Sequence, residues 1–121
     1  MKKRLSVSDL ATEKEIQRAI LEWLACIKVF AWRQNRGAMS GAHKGKPWFV
    51  RFGPPGQSDI LGVVPSLGRF LAIEVKRVGK QPTEDQQGFL DRVTAAGGIA
   101  FVAHSLEECQ TRFNDKLWGR E

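Results

Sequence analysis

Apolar residues repeat along this chain at two spacings, and the change from one to the other divides it into helices and strands. Ile16, Ala19, Ile20, Trp23, Leu24 and Ile27 recur at three- and four-residue steps, which is one buried helix face, and Thr12 stands where an N-cap is needed. Val29 to Arg33 then reads as a short strand. Gly37 to Pro47 carries Gly, Ser, His and Lys with no period and is expected to be a loop, while Phe49 to Phe52 is compatible with extended chain. Two runs rich in Val, Ile, Leu and Phe, from Ile60 to Val64 and from Phe70 to Lys76, flank the turn sequence Pro65-Ser66-Leu67-Gly68 and predict a hairpin. Thr83 opens a second helix carrying Phe89, Leu90 and Val93, Gly97-Gly98 ends it, and Ile99 to Ala103 is a further strand. Ser105 to Glu108 fits the S-x-x-E capping box, which starts a last helix holding Leu106, Cys109 and Phe113. The order α-β-β-β-α-β plus a C-terminal helix, without repeats, predicts an α/β sandwich in which a small mixed sheet is flanked by helices; an α+β label fits the same pattern.

Composition narrows the partners. A length of 121 residues suits one domain over residues 1–121, with its core at about 12–105. At 42% hydrophobic and 26% charged residues the chain has enough apolar surface to fold, so intrinsic disorder is excluded. Nineteen Lys and Arg against 13 Asp and Glu leave +6, which draws polyanions and makes nucleic acid the natural partner, although the same charge also serves solubility. No apolar run reaches the roughly 18 residues of a membrane span, and Met1-Lys2-Lys3-Arg4 leads into a mixed polar segment rather than a signal-peptide stretch. No membrane partner and a cytosolic location are therefore expected. Cys26 and Cys109 lie far apart inside helical patterns, lack the paired spacing of a zinc site, and are expected to be buried free thiols.

Chemistry concentrates in Leu71-Ala72-Ile73-Glu74-Val75-Lys76. Side chains alternate along a strand, so Leu71, Ile73 and Val75 face one way and Glu74 and Lys76 the other. A turn centred between Ser66 and Leu67 places Asp59 opposite Glu74, with Cβ atoms about 4.5 to 5.5 Å apart. Two carboxylates that close repel, and a divalent cation between them removes the repulsion; hard oxygen donors without a His or Cys cluster favour Mg²⁺ or Mn²⁺ over zinc. The alternative is that Glu74 and Lys76 are solvent-facing residues of an edge strand, where Lys guards against aggregation. Upstream, Arg33, Arg36, His43, Lys44, Lys46 and Arg51, with Trp48 among them, form a basic stretch suited to phosphates and an unstacked base, or simply to solvent. His43 has no evident partner, and His104 reads as a strand-end residue.

Gly56-Gln57-Ser58-Asp59-Ile60, then Glu74-Val75-Lys76, then Thr83-Glu84-Asp85-Gln86 follow one another behind Trp32-Arg33-Gln34-Asn35-Arg36-Gly37. From about Glu13 to Ser105 this succession resembles the PD-(D/E)xK nucleases, and within them the VRR-NUC domain; Ser58 stands where the family name has Pro. The resemblance implies a restriction-endonuclease-like core and metal-dependent hydrolysis of DNA phosphodiesters. It implies that Asp59 and Glu74, with the Val75 carbonyl, hold the metal, and that Lys76 holds or deprotonates the attacking water and offsets charge on the phosphate. It also implies an acidic residue from the first helix, for which Glu13 and Glu15 compete. At about 100° per residue Glu13 lies on the stripe of Ile16, Ile20 and Ile27, which favours it over Glu15. The family places a Gln from the second helix beside the catalytic Lys, yet Gln86 is equally explained as the last member of a T-x-x-Q capping box.

Being compact, the chain is similar to standalone phage and bacterial members, which implies a homodimer acting on branched DNA, like a Holliday-junction resolvase, in the bacterial cytosol or a phage-infected host cell. Two other readings use the same residues differently: a non-catalytic nucleic-acid-binding module on a nuclease fold, and a restriction-type endonuclease.

Overall fold

A computed structural model describes residues 10–34, 38–51 and 53–120. The elements run α1 (Glu13–Cys26), β1 (Phe30–Arg33), β2 (Ala38–His43), β3 (Lys46–Arg51), β4 (Ile60–Val63), β5 (Phe70–Val75), α2 (Glu84–Ala95), β6 (Ile99–Ala103) and α3 (Leu106–Trp118). Four strands form one sheet in the order β1-β4-β5-β6, antiparallel except for the parallel pair β5 and β6, whose crossover is α2. The expected mixed sheet flanked by helices is the observed one.

Strand alternation sorts the core into two layers. Leu71, Ile73 and Val75 join Ile60, Ile99, Phe101 and Ala103 against Ile16, Ile20 and Leu24 of α1 and Cys109 and Phe113 of α3. Trp23 and Phe113 close the α1–α3 contact edge to face, with ring centroids 5.5 Å apart. On the opposite face Leu61, Ala72 and Ala100 pack beneath Leu90 of α2. Thr12 caps α1 and Ser105 caps α3, each accepting a backbone N–H three residues on, and Thr83 with Gln86 forms the reciprocal capping box of α2. Among the described residues no helix is long and apolar enough to cross a membrane.

Three expectations need correction. Gly37 to Pro47 is not a loop from Ala38 onward, because β2 and β3 pair as a hairpin in a sheet of their own, His43 opposite Lys46. Its turn places Lys44 at φ 51° and Gly45 at φ 75°, the left-handed pair that two-residue hairpins require. Described side chains from Ser40 to Phe49 are exposed on both faces, so no alternation of burial marked these strands. Secondly, Glu74 is no edge-strand residue: β5 lies between β4 and β6, and Glu74 is 0% exposed. Thirdly, Cys26 ends α1 on its exposed side, whereas Cys109 is buried.

Burial, reinforced by the neighbouring Glu108 carboxylate, pushes the Cys109 thiol from an ordinary 9.0 to about 12. Iodoacetamide at neutral pH is therefore expected to modify Cys26 alone in the native protein and both thiols in denaturant, read by intact mass; equal rates in the native state would contradict the packing of α3. Because the unfolded chain ionises this thiol near pH 9.0 and the native chain only near about 12, Cys109 stabilises the fold fully below the lower value and loses that contribution between the two.

Candidate active site

The β4–β5 ladder pairs Ile60 with Ile73, Leu61 with Ala72, Gly62 with Leu71 and Val63 with Phe70, which is the register of a turn centred between Ser66 and Leu67. Continued by one residue it sets Asp59 against Glu74, on the face that α2 covers. Asp59 Oδ2 accepts the Val75 N–H at 2.8 Å, a bond that crosses from the start of β4 to the end of β5 and fixes the carboxylate. Asp59 is 4% exposed and Glu74 0%, so both acids sit out of bulk water where charge interactions are strengthened. Lys76 Nζ lies 3.9 Å from Glu74 Oε1, too long for a hydrogen bond but close enough for strong attraction, and the Lys76 N–H is held by Ala103 O at 3.0 Å.

Asp59 is brought there by a turn that only glycine can make. Gly53 and Gly56 have φ of 81° and 73°, and a Cβ on Gly56 would stand 2.2 Å from the Asp85 carbonyl oxygen at the start of α2. The turn is thus pressed onto the helix that bears Gln86. Behind it Ser58 is fully buried, and its hydroxyl has no hydrogen-bond partner among the described residues. Backbone pairing extends the β1–β4 seam to the site, the Gln34 N–H donating to Asp59 O at 2.7 Å.

Glu13, in the first turn of α1, is partly buried and accepts the Arg77 N–H at 3.3 Å, one residue beyond Lys76. Glu15 is exposed and turned back to its own cap, accepting from Thr12 Oγ1 at 3.1 Å. The helix therefore brings Glu13, not Glu15, to the end of β5. Gln86 is buried, and its Oε1 accepts the Thr83 N–H at 2.9 Å while Thr83 Oγ1 accepts the Gln86 N–H at 3.2 Å. Its carbonyl oxygen is committed to the cap, and its amide NH₂ is not.

Among the described residues no three His, Cys, Asp or Glu gather closely enough to cage a metal by themselves. The donors that do converge are two hard carboxylates with the Val75 backbone beside them. That set is of the hard-oxygen kind that a divalent cation takes while keeping several of its waters.

Of the basic stretch, Arg33 ends β1 and Lys44 and Lys46 lie at the hairpin turn, all exposed; Trp48 packs over Gly41. Arg36 lies outside the described residues, and Arg51 is placed by its backbone alone, opposite Ala38. The hairpin does not join the sheet that carries Asp59 and Glu74. His43 ends β2, exposed. His104 does more than end a strand: Nδ1 lies 3.0 Å from Glu108 Oε1 and Nε2 lies 2.8 Å from Lys80 O, clamping the segment after Lys76 to α3. One buried polar group escaped sequence reasoning: Gln57 is 5% exposed, and its Nε2 has no hydrogen-bond partner among the described residues. It stands inside the Gly56-to-Ile60 motif, but no role was read from its side chain there.

A comparison with curated proteins gives no match. A solved structure described as a VRR_NUC domain superimposes with a TM-score of 0.60 at 19% identity, covering 86% of this chain and 97% of that one, which establishes the shared fold. The family model for the VRR-NUC domain matches residues 11–107, a span that runs from the cap of α1 past Asp59, Glu74, Lys76 and Gln86 into α3. The chain belongs to the VRR-NUC family, whose business is nuclease-type processing of DNA.

Proposed function

We propose that the protein is a Mg²⁺- or Mn²⁺-dependent endodeoxyribonuclease that hydrolyses phosphodiester bonds in branched DNA as a homodimer. The observation that carries this reading is the buried pair Asp59 and Glu74, with Lys76 beside them at the end of a central strand. Two acids desolvated side by side destabilise the fold unless something uses their charge, and a nuclease centre does.

When bound by Asp59, Glu74 and the Val75 carbonyl, with Glu13 as a further ligand directly or through water, the divalent ion supplies Lewis-acid polarisation of the phosphate and favours ionisation of a water. The protein's own groups set the geometry. The Val75 N–H holds Asp59 in one orientation, so its carboxylate need not be ordered when DNA arrives. Lys76, 13% exposed, keeps its ammonium near Glu74 and is placed to orient the attacking water and to offset the charge that grows on the phosphate oxygens. As the new P–O bond forms, the bond to the leaving sugar oxygen breaks, and that oxygen takes up a proton. The Gln86 amide NH₂, left over from the cap, stands as a donor on the same face. The exposed basic residues Arg33, Lys44 and Lys46, with Arg36 and Arg51, serve as phosphate contacts that add affinity without reading sequence.

Support for the homodimer comes from β1, an edge strand with no partner on its outer side among the described residues. Phe30, 71% exposed, lies against Trp32 of the same strand with ring centroids 5.2 Å apart and planes tilted by 51°. A second copy related by a twofold axis would cover this aromatic pair and match the symmetry of a four-way junction.

Labelled four-way junction, flap, duplex and single-stranded DNA should be cut with Mg²⁺ or Mn²⁺ and left intact in EDTA, the junction fastest. Lys76→Ala should lower turnover by about a hundredfold to a thousandfold while DNA binding persists; binding without cleavage in every lane would establish a non-catalytic module instead. Glu13→Gln should reduce cleavage by roughly ten- to a hundredfold and raise the Mg²⁺ concentration for half-maximal rate, with Glu15→Gln close to wild type; the opposite ranking would reassign the ligand. Sedimentation equilibrium should return the mass of two chains for the wild type and of one for Phe30→Asp, and a monomeric wild type would remove the dimer.

A further inference from the structure

Away from the acidic pair, a cleft of about 590 Å³ opens where the β4–β5 turn meets the end of α2. This is within the range of small-molecule sites, roughly 300 to 1,000 Å³. Its walls include Arg69, Phe70, Phe89 and Arg92, with Pro54 from the glycine-rich turn, and among the described residues contain no acidic one. Phe70 keeps 40% of its surface in water although it begins a central strand. Arg69 is held in place by its Nε donating to Gly97 O at 3.0 Å and, more weakly, by Nη2 to Gly98 O at 3.5 Å, with its other N–H groups left over. Arg92 is exposed in the last turn of α2 and makes no ion pair among the described residues.

The cleft is joined to the acidic pair by three elements. Phe70, Ala72 and Glu74 alternate onto one face of β5, so Phe70 lies four residues from Glu74 along the strand, a distance of about 13 Å at roughly 3.3 Å per residue. Helix α2 runs along that face from Gln86 to Arg92 and Val93. The turn whose Gly56 presses on α2 also places Pro54 in the cleft wall. At about 3.4 Å of rise per nucleotide, the separation corresponds to some four stacked nucleotides, and to fewer in a stretched strand.

We propose that this cleft takes one unpaired nucleotide of the substrate DNA, its base against Phe70 and Phe89 and its phosphate on Arg69 and Arg92. Aromatic faces accept any base, so the contact selects for an unstacked nucleotide and not for a sequence. Two cations without an acid suit the phosphate, and the immobilised Arg69 loses little freedom on binding it. A flap or splayed branch offers such unpaired nucleotides, and a four-way junction does so where its central pairs open, so the cleft favours DNA whose strands part a few nucleotides from the bond that is cut. This inference rests on the DNA-cleavage reading above.

The test is a titration of ¹⁵N-labelled full-length protein with millimolar dAMP, beside deoxyribose 5-phosphate and inorganic phosphate, followed by NMR. Expected are shifts confined to Arg69, Phe89, Arg92, Gly97 and Gly98 with dAMP and much smaller ones with the two base-free compounds. Phe70→Leu, which keeps apolar bulk and loses the ring, should weaken dAMP roughly tenfold, and Arg92→Ala on the exposed helix surface should do likewise. Equal response to inorganic phosphate, undiminished binding in Phe70→Leu, or no shift at the cleft would each overturn the proposal. Cleavage of DNA with an unmoved cleft sinks this inference and leaves the nuclease intact; a responsive cleft in a protein that cuts nothing does the reverse.

Discussion

The site depends on one hydrogen bond, from the Val75 N–H to Asp59 Oδ2. Asp59 lies just before β4 and Glu74 near the end of β5, so neither strand alone can present two acids together. The bond ties a side chain of one strand to the backbone of the next, at the point where the ladder gives out. It also explains how a carboxylate can be nearly dry: a charged acceptor that receives a backbone donor recovers part of the hydration it has lost. Glu74, beside it, has the Lys76 ammonium for company.

Around this bond the molecule is arranged in layers with different duties. The face that packs against α1 and α3 is apolar, formed by large side chains such as Ile20, Leu71 and Ile73. The face beneath α2 is built from smaller residues, Ala72 and Ala100 with Leu61 and Leu90, and leaves its upper part to Asp59, Glu74 and Gln86. Stability thus comes mainly from one side of the sheet, and the other side has room for polar groups. Gln86 belongs to both, because the same side chain that closes the cap of α2 is buried on the side of the sheet that α2 covers.

Much of this was legible in the residues. The β4–β5 register followed from a turn centre placed between Ser66 and Leu67, and the alternation along β5 set Ile73 and Glu74 on opposite faces, where a slip by one residue would have exchanged them. Thr83 and Gln86 announced their cap by spacing alone. That Glu13 rather than Glu15 reaches the end of β5 followed from helical geometry, and the structure adds the Arg77 N–H that donates to its carboxylate. Legibility failed where burial supplies no pattern. The β2–β3 hairpin is wet on both sides and rests on a left-handed Lys44, a conformation that sequence seldom advertises. Cys26 was misplaced because a helical period shows which positions share a face but not which flank of that face meets solvent. Gln57 was passed over inside the Gly56-to-Ile60 motif, since a single buried amide leaves no repeat in the chain.

The independence of that hairpin has an evolutionary side. None of its described residues enters either core cluster, and its own order comes from cross-strand backbone pairing and from Trp48 lying over Gly41. Substitutions on such a surface usually change stability by less than about 0.5 kcal/mol. Descendants of this chain can therefore change its shape and its contacts to phosphate without loss of stability while the sheet, the turn at Gly56 and the acidic pair stay as they are. The fold separates what must be inherited from what is free to drift.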